Sequence, residues 1–487
     1  MNITIYDIRH AYDVFNNVIM YYVIAISIAF VVLSILASYA MNKYKRRNGF
    51  VDYRAILSTE LAPGISIIAP AYNEGNNIVE NVRSLLSLHY PDYEIIIVND
   101  GSKDDTLEKL IEAYDLYKVH FAINYQIETK DVRAVYKSKN KAYSDIVVVD
   151  KENGGKADAL NVGLNISREP LVACIDVDCI LAHDALLKLV KPFMEGDRKI
   201  IATGGVIRAA NSCEIQAGEI KKVRLPTKYK VRVQVLEYFR AFLMGRMAWA
   251  QIDGLLLISG AFGMFDKEVA IRAGGYDPKT VGEDMELVVR MRRLMHDEKT
   301  KYRVAFIPDP LCWTEVPETW KMLGKQRNRW ARGTIETLWK HRRLCLNPKY
   351  GVMGMVSIPF WILFEWLAPL IELTGIILYT IMAVFGWTNW TYYISFFILV
   401  YCFSVMFTVF AIWFEEETYQ QYRKPKYIVI LLFTTILEPF VYHPFVMLSS
   451  VKGNIDWLRG KKSWGEMTRV GFNSNKKKEA TPSTPTD

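Results

Sequence analysis

Long apolar runs near both ends of the chain enclose a region in which short apolar runs alternate with mixed sequence. The first long run, residues 20–40, is uncharged and matches the roughly 20 residues that a helix needs to cross a bilayer. The alternating region covers residues 52–345, and long apolar runs return after Pro348. This pattern predicts a soluble domain held between membrane segments.

The alternating region predicts an α/β fold. Three apolar runs have the length and composition of buried strands: ISIIAP at 65–70, EIIIVND at 94–100 and LVACIDVD at 171–178. Residues 76–89 instead place their apolar positions at helical spacing. Strands that alternate with helices favour a doubly wound, mostly parallel sheet. Such sheets bind ligands beyond the carboxyl ends of their strands, where Asp100, Asp176 and Asp178 stand.

The C-terminal apolar runs are less regular than the first one. They cover residues 351–387, 391–414 and 427–450. We predict that part of 351–371 lies in the membrane interface and that the last run is broken at Glu438-Pro439. A proline-interrupted backbone is tolerated at membrane depth only inside protein or along a cavity. The intramembrane Glu365 and Glu372 indicate a function unless helix packing alone holds them.

Positive charge is concentrated beside the apolar runs. The formal net charge is +8, from 60 basic and 52 acidic residues. One basic cluster, residues 43–47, directly follows the first apolar run, and a second lies within residues 452–478. Clusters in these places favour a lipid bilayer over a nucleic-acid groove, and the sequence carries no zinc-finger or RNA-binding signature.

The same charges predict the topology. The positive-inside rule places the N-terminus outside and residue 43 onward in the cytoplasm. A signal peptide carries its charges ahead of its apolar run, so an uncleaved anchor is favoured over cleavage near Ala40. A cytoplasmic basic tail requires an even number of crossings after residue 350, and the apolar runs suggest two to four. The compact chain without eukaryotic targeting signals points to a bacterial inner membrane.

Four regions are therefore predicted: an N-terminal anchor at 1–48, a cytoplasmic domain at 52–345, transmembrane and interfacial helices at 350–451, and a basic cytoplasmic tail at 452–487 whose end has a disordered composition. The sequence contains no CxxC pair, which argues against structural zinc and a disulfide framework. Buried free thiols are expected for the six cysteines: Cys174, Cys179, Cys213, Cys312, Cys345 and Cys402.

Carboxylates at a strand end suggest a metal site. Asp176 and Asp178 are two residues apart, so their side chains point the same way from an extended chain. Oxygen ligands of this kind suit Mg²⁺ or Mn²⁺, which can bridge to a diphosphate. Solvated aspartates are the alternative, but the preceding apolar strand and a nearby lysine loop favour the metal.

A glycine-rich loop supplies a cation. Lys156 follows Gly154-Gly155 and begins a predicted helix. The glycines let the backbone approach a phosphate, and a helix N-terminus favours an anion; an exposed lysine after a turn is the alternative. Asp100 could accept hydrogen bonds from a base or a ribose, or could be a turn residue before glycine.

Two further motifs offer acid–base and pocket residues. Glu283-Asp284 opens a predicted helix, either as acids favoured by the helix dipole or as the general base for an acceptor hydroxyl. Gln326, Arg329 and Trp330 lie at i, i+3 and i+4 on one helix face. The guanidinium could neutralise a leaving diphosphate, and the indole could stack on a sugar. A membrane-proximal belt of aromatic and basic residues is the alternative.

As an ordered set, these motifs resemble those of a known family. The series is Asp100, Asp176-x-Asp178, Glu283-Asp284 and Gln326-Arg327-x-Arg329-Trp330. It is similar to that of membrane-embedded family 2 glycosyltransferases with the GT-A fold, a Rossmann-like α/β fold. Within that family, about residues 60–470 resemble the processive poly-N-acetylglucosamine, chitin-oligosaccharide, hyaluronan and cellulose synthases. The segment Trp464–Arg469 is a weaker match to a tail motif of hyaluronan-type synthases.

The resemblance implies a role for each residue. The nucleotide-sugar site, with Asp178 and Asp176 as metal ligands, would comprise Ala71, Tyr72, Glu74, Asp100, Lys156, Asp176 and Asp178. The acceptor site would comprise Ser259, Gly260, Gln326, Arg327 and Trp330, although residues 259–263 could be a tight bend alone. The catalytic residues would be Asp284 as the base, Glu283 beside it, and Arg329 at the leaving UDP.

The implied reaction is inverting transfer from a UDP-sugar to a growing β-linked polysaccharide that is moved across the membrane, with Mg²⁺ or Mn²⁺ as cofactor. UDP-N-acetylglucosamine is the favoured donor, because the short single-anchor architecture resembles chitin- and poly-N-acetylglucosamine-type synthases; UDP-glucose is the runner-up. The alternatives are a single-addition transferase acting on a lipid-linked acceptor and a non-catalytic transporter or scaffold. The Gln-x-x-Arg-Trp motif argues against the first and the intact carboxylates against the second. A secretion partner stays open.

Two features depart from the family or lack a role. Gly282 stands where cellulose synthases carry a threonine. The basic segment 208–235 is either a mobile loop over the nucleotide or, as we favour, a solvated surface. No cyclic-dinucleotide-binding module like that of bacterial cellulose synthases follows the membrane segments in this sequence.

Overall fold

A ten-stranded mixed sheet forms the core of the region between the apolar runs. The computed structural model describes residues 5–49, 53, 57, 59, 61–196, 198–216 and 218–461, with side chains from residue 13 onward. The weak match at Trp464–Arg469 and the end of the tail lie outside these residues. The strands are β1 (Ile65–Ala71), β2 (Tyr93–Asn99), β3 (Leu116–Val119), β4 (Val132–Ser138), β5 (Ile146–Lys151), β6 (Leu171–Ile175), β7 (Ile180–Leu181), β8 (Lys199–Ala209), β9 (Glu214–Gln216), β10 (Glu219–Lys222), β11 (Phe262–Asp266) and β12 (Tyr302–Thr314).

The sheet has the order β3-β4-β5-β2-β1-β6-β11-β8-β12-β7, and β9 pairs with β10 in a separate hairpin. Strands β5, β2, β1 and β6 are parallel neighbours, whereas β4, β7 and β11 run against the others. The residues from Ile95 to Val98 are fully buried, as expected for a strand covered on both faces. The predicted mostly parallel sheet is therefore confirmed, with antiparallel strands that the sequence pattern did not predict.

The helices of this region are interspersed with the strands along the chain. They are α2 (Ile78–Leu86), α3 (Thr106–Tyr114), α4 (Lys156–Ile166), α5 (Ala185–Met194), α6 (Tyr229–Tyr238), α7 (Met247–Gln251), α8 (Lys267–Arg272), α9 (Glu283–Asp297) and α10 (Trp320–Lys340), and α1 (Ile5–Asn48) precedes them. A π-helical segment, Phe239–Arg246, joins α6 to α7. The predicted helices that begin at Lys156 and Glu283 are both present.

Four helical stretches among the described residues are long and apolar enough to cross a membrane: Asp13–Asn48, Met353–Val384, Trp390–Thr418 and Pro425–Leu458. The second begins with the π-helical segments Met353–Ser357 and Trp361–Trp366 and continues as α11 (Ala368–Val384). The third and fourth are α12 (Trp390–Thr418) and α13 (Pro425–Leu458).

The predicted break at Glu438-Pro439 is wrong, because α13 continues through Pro439 and Pro444. Close to the first proline, the Tyr401 hydroxyl of α12 donates to the Ile436 carbonyl of α13 at 3.3 Å. Glu438, beside the first proline, accepts from the Arg240 guanidinium at 3.0 Å and so has an ion-pair partner.

One face of α13 is docked on the central domain along its length. Near the start, Arg232 Nε donates to Thr434 Oγ1 at 3.2 Å. Near the end, Asn328 Nδ2 donates to Asp456 Oδ2 at 2.9 Å. The opposite face exposes large apolar side chains, among them Phe433 and Leu448.

The predictions of free thiols for the cysteines and of a solvated surface for the basic segment can both be compared with the structure. All six cysteines are free thiols; Cys174, Cys179 and Cys312 are buried, but Cys402 is exposed on α12, so burial does not hold for all of them. The basic segment is a solvated surface only in part. Arg224 pairs with Glu214 at the surface, but Arg208 is buried in an ion pair with Glu415, and Arg232 contacts Thr434 of α13.

Candidate active site

The loop after β5 is held by a carboxylate at the end of β2. Asp100 is buried, and its Oδ1 accepts from the Gly154 backbone N–H at 2.9 Å while its Oδ2 accepts from the Gly155 N–H at 2.8 Å. Gly155 adopts φ 87°, a conformation that favours glycine. Asp100 therefore fixes the glycine loop that leads into Lys156. Contact between Asp100 and a nucleotide base stays a prediction.

Lys151 is a functional candidate that the sequence analysis missed. Its side chain is fully buried, and its Nζ lies 2.7 Å from both Asp100 Oδ1 and Asp158 Oδ1. One ammonium thus compensates two buried carboxylates on either side of the glycine loop. A lysine that follows Asp150 at the end of a fully buried strand, IVVVDK, was the signal that could have identified it.

Lys156 lies among the predicted carboxylates, as its motif suggested. Its Nζ forms an ion pair with Asp176, donates to the Gly260 carbonyl at 3.2 Å and lies 3.8 Å from Glu283 Oε1. Burial alone would lower the pKa of Lys156, but Asp176 and Glu283 reverse the effect and raise it above its ordinary value. The lysine is a fixed cation where a diphosphate could bind.

Asp284 lies at the N-terminus of α9, where the helix dipole favours a carboxylate. Its Oδ2 accepts from the Gly260 N–H at 3.1 Å, and its Oδ1 accepts from the Met285 N–H at 2.8 Å. A Cβ on Gly260 would lie 3.2 Å from Lys156 Nζ and 3.3 Å from Asp284 Oδ2. The backbone of Gly260 therefore joins the candidate base to the candidate phosphate-binding lysine, and only a small residue fits between them.

Glu283 is buried beside Asp284. Burial and the Asp284 carboxylate raise the pKa of Glu283, while Lys156 and Arg329 oppose the shift. A perturbed carboxyl of this kind in a cleft is typical of functional sites. The two acidic side chains of the motif therefore differ in their surroundings, although they are neighbours in sequence.

The Gln-x-x-Arg-Trp motif lies on α10. One of its side chains, Arg327, contacts neighbouring helices, and the Gln, Arg and Trp side chains that define the motif line a cavity. Arg327 is buried, donates to Glu237 at 2.6 Å and to the Tyr442 hydroxyl at 3.0 Å, and lies 4.1 Å from the centre of the Trp330 ring. It therefore ties α10 to α6 and α13. Trp330 is 41% exposed and lines a cavity that Gln326 and Arg329 also line.

Two glycines bring the Glu283-Asp284 motif against α10. A Cβ added to Gly282 would lie 2.7 Å from the Gly333 Cα, and the reverse substitution meets Gly282 at the same distance. Such a separation leaves no room for a side chain on either backbone. Gly282, the departure from cellulose synthases, is thus explained by a contact with Gly333 three residues after Trp330.

The cavity has a volume of about 1120 Å³ and joins these side chains to the apolar helices. On the domain side it is lined by Lys156, Asp176, Ser259, Gly260, Glu283, Asp284, Gln326, Arg327, Arg329 and Trp330. It continues between Phe30 of α1, Phe407 of α12 and Glu365 of the π-helical segment Trp361–Trp366. The candidate catalytic and acceptor residues therefore share one space with the membrane helices.

The remaining predicted residues lie apart from this cavity. Ala71 ends β1 and its carbonyl accepts from the Asp100 N–H at 2.9 Å, while Tyr72 is 45% exposed. The Glu74 N–H donates to Thr106 Oγ1 at 2.9 Å. Asp178 is buried beyond β6 in a turn rather than in an extended chain, so the geometry expected for the Asp176–Asp178 pair is wrong.

The donor set fits a hard cation that brings other ligands with it. Asp176 and Asp178 offer carboxylate oxygens, and no cluster of three or more His, Cys, Asp or Glu side chains able to hold a metal occurs in the described part of the chain. Mg²⁺ typically binds one or two carboxylates and completes its shell with water and substrate phosphates. A divalent cation held jointly with a diphosphate is compatible with these residues.

A mixed sheet with a lysine loop at its strand ends and paired acids at a helix N-terminus, all beside an open cavity, is compatible with the GT-A fold. A mannosyltransferase from Pyrobaculum calidifontis, solved in complex with GDP-Man and Mn²⁺, has this fold; the match has a TM-score of 0.52 at 17% identity over 90% of this chain and 99% of that one. The sequence model "Glycosyltransferase like family 2" matches residues 63–333, more than half of the chain. The chain belongs to glycosyltransferase family 2, and it is an enzyme of the glycosyltransferase class.

Named relatives and a second family model are all polysaccharide synthases. The chain is 29% identical to the poly-β-1,6-N-acetyl-D-glucosamine synthase of Staphylococcus epidermidis over 66% of each protein. It is 28% identical to the synthase of the same name from Staphylococcus aureus strain MSSA476 over 75% of each. A chitin synthase model matches residues 277–484. These similarities support a polysaccharide glycosyltransferase.

Proposed function

We propose that the chain is a processive inverting glycosyltransferase that polymerises a UDP-sugar into a β-linked polysaccharide and moves it across the membrane. The observation that carries this proposal is the shared cavity, because Asp284 lines the same space as Phe30, Phe407 and Glu365 of the apolar helices. A polymer extended at Asp284 would grow into that space. UDP-N-acetylglucosamine is the favoured donor, since the named relatives are poly-N-acetylglucosamine synthases.

The side chains supply the steps of an inverting transfer. The Asp284 carboxylate takes the proton from a hydroxyl at the non-reducing end of the acceptor. That oxygen attacks the anomeric carbon of the donor sugar as the bond to the UDP oxygen breaks, and UDP leaves with the electron pair. Lys156 and Arg329 hold the charge that develops on the diphosphate.

A divalent cation would be held by Asp176 and Asp178 together with the donor. When bound, it stabilises negative charge on the departing diphosphate. In this structure Lys156 forms an ion pair with Asp176. Because Asp176 would bind the cation, this ion pair must rearrange when the donor and the cation bind. The lysine then remains within reach of Glu283, whose Oε1 lies 3.8 Å away.

The contacts of α13 support a topology with two crossings after residue 350. From Thr434 to Asp456 a helix rises about 33 Å, which equals the thickness of a bilayer core. Both positions nevertheless contact the central domain, through Arg232 and Asn328. A spanning helix would carry one of them to the far surface. We therefore place α13 along the cytoplasmic interface, with its apolar outer face toward lipid and the basic tail in the cytoplasm.

The test of the function is a donor panel with purified enzyme in nanodiscs and Mn²⁺ or Mg²⁺. UDP-N-acetylglucosamine, UDP-glucose, UDP-galactose and UDP-glucuronate are supplied singly and in pairs, and UDP release and product length are measured. We expect release with UDP-N-acetylglucosamine alone and a long product that a matching glycosidase digests. Release that stops after one sugar per lipid acceptor would establish the single-addition alternative instead.

A further inference from the structure

We propose that Arg246, at the end of the π-helical segment Phe239–Arg246, binds oxygen atoms of the terminal acceptor sugar beside Asp284. The inference rests on the proposed function and adds a residue to the acceptor site. The sequence motifs did not include Arg246, because it lies between the Lys156 and Asp284 motifs in a segment without a recognised pattern.

The guanidinium of Arg246 has unused hydrogen-bonding capacity. Its Nη1 is buried, and within the described part of the chain no acceptor lies within hydrogen-bond distance of it. An unsatisfied buried charged donor is costly in a folded protein, and such groups in native structures call for an explanation. Because Arg246 lines the cavity, a substrate that enters the cavity can supply the missing acceptor.

The side chain is held in place despite the missing partner. Its guanidinium carbon lies 3.7 Å from the centre of the Phe242 ring, a close cation–π contact. Burial lowers the pKa of Arg246 to about 10, with Asp284 and Tyr238 opposing the shift. The group therefore remains a cation at neutral pH and is oriented before any ligand arrives.

The neighbours of Arg246 favour the acceptor over the donor. Lys156 forms an ion pair with Asp176 and lies 3.8 Å from Glu283 Oε1, whereas Arg246 Nη1 has no hydrogen-bond partner among the described residues. The π-helical segment that carries Arg246 packs against α1 and α12, which are membrane helices. In the proposed reaction Lys156 and Arg329 serve the donor diphosphate, and Arg246 lines the cavity from a segment packed against the helices beside which the polymer would leave.

The geometry gives Arg246 one effect on the reaction. Its N–H groups can donate to hydroxyl, ring or acetamido oxygens of the acceptor sugar, which fixes the attacking hydroxyl next to the base. Its cation–π contact with Phe242 keeps these donors in place before the acceptor arrives. π-Helical turns are frequent at functional sites, and another π-helical segment, Trp361–Trp366, lines the same cavity.

The test measures acceptor dependence separately from donor binding. Arg246→Gln, Arg246→Lys and the surface control Arg272→Gln are assayed with β-linked N-acetylglucosamine oligosaccharides as acceptor, for UDP release with and without acceptor and for UDP affinity. Arg246→Gln should raise the acceptor KM roughly 10- to 100-fold, as for the loss of a charge-assisted hydrogen bond, and leave UDP affinity and acceptor-free hydrolysis within about twofold. Arg246→Lys should recover part of the loss.

Three results would overturn the inference. An unchanged acceptor KM in Arg246→Gln would remove Arg246 from the acceptor site. A fall in UDP affinity with an unchanged acceptor KM would assign it to the donor. A loss of activity in both Arg246 variants with a lowered Tm would make the residue structural. Failure of the wild-type enzyme to transfer to any acceptor would instead reject the proposed function.

Discussion

The two sides of Asp284 are built differently. On the donor side, charged groups meet opposite charges within the protein: Lys156 pairs with Asp176, and Lys151 with Asp100 and Asp158. Under the proposed function the Lys156–Asp176 pair rearranges when the donor binds, whereas the contacts of Lys151 hold the glycine loop. The ion pairs that position the glycine loop also compensate buried charges. A substitution that weakens donor binding on this side should therefore also lower the free energy of unfolding of the domain.

On the membrane side, polar groups face the cavity with unused hydrogen-bonding capacity. Gln326 Oε1 and Arg246 Nη1 are buried and have no hydrogen-bond partner among the described residues, and Glu365 lines the same space. Substitutions here remove groups that a sugar would satisfy and should change activity more than stability. Under the proposed function, the comparison separates residues that stabilise the fold from residues that would bind the polymer, and it can be tested by measuring stability and activity in each variant.

The largest effect is expected for Asp284, which lies between the two sides. Asp284→Asn keeps the size of the side chain but removes the base, so kcat should fall by about 10²- to 10⁴-fold with UDP affinity unchanged. UDP release and UDP binding by calorimetry measure the two quantities. Asp115→Asn, a change of the same kind at an exposed residue paired with Lys139 at 3.9 Å, should leave both unchanged. Retained turnover in Asp284→Asn would remove Asp284 from the role of base.

A variant of the donor side should lose stability and activity together. Lys151→Met leaves the Asp100 and Asp158 carboxylates buried without their cation, which costs about 3–5 kcal/mol. We expect a Tm lower by several degrees in detergent and a loss of UDP binding as the glycine loop loosens. The control Lys139→Met breaks an exposed pair, which contributes about 0–1 kcal/mol. An unchanged Tm in Lys151→Met would show that the donor side is not coupled to stability.

Much of this site could be predicted from short motifs, because their chemistry is local. Lys156, Glu283 and Asp284 begin helices as their sequence patterns indicated, and Gln326 and Trp330 line one cavity from one helix. The roles assigned to these residues stay predictions. Arg246 could not be found in this way, since its importance depends on burial and on neighbours distant in sequence. Lys151 offered one signal, a lysine at the end of a buried strand, but its two carboxylate partners are visible only in the structure.

The membrane region illustrates a second limit of sequence patterns. Proline inside an apolar run predicts a break, yet α13 is continuous through both prolines and packs against α11 and α12. Hydropathy alone cannot distinguish a spanning helix from one docked on a domain, because both have an apolar face. The contacts of Thr434 with Arg232 and of Asp456 with Asn328 are what favour the docked arrangement. Each contact joins residues more than 100 positions apart, so hydropathy along the chain does not show it.

The smallest of the three effects is expected at the junction of the two sides, where Gly282 touches Gly333. Gly282→Ala places a Cβ 2.7 Å from the Gly333 Cα, so α9 and α10 must separate, at a cost of about 1–3 kcal/mol. A shift of this kind moves Asp284 relative to Arg329 and Trp330, and we expect UDP release to fall by roughly 10- to 100-fold with a modest loss of Tm. Gly375→Ala, whose Cβ meets nothing within 4 Å, is the matched control and should behave as wild type. If Gly282→Ala lowers Tm but leaves turnover intact, the contact serves packing alone, and the relative position of the two motifs must be set by other contacts of α10, such as those of Arg327 with α6 and α13.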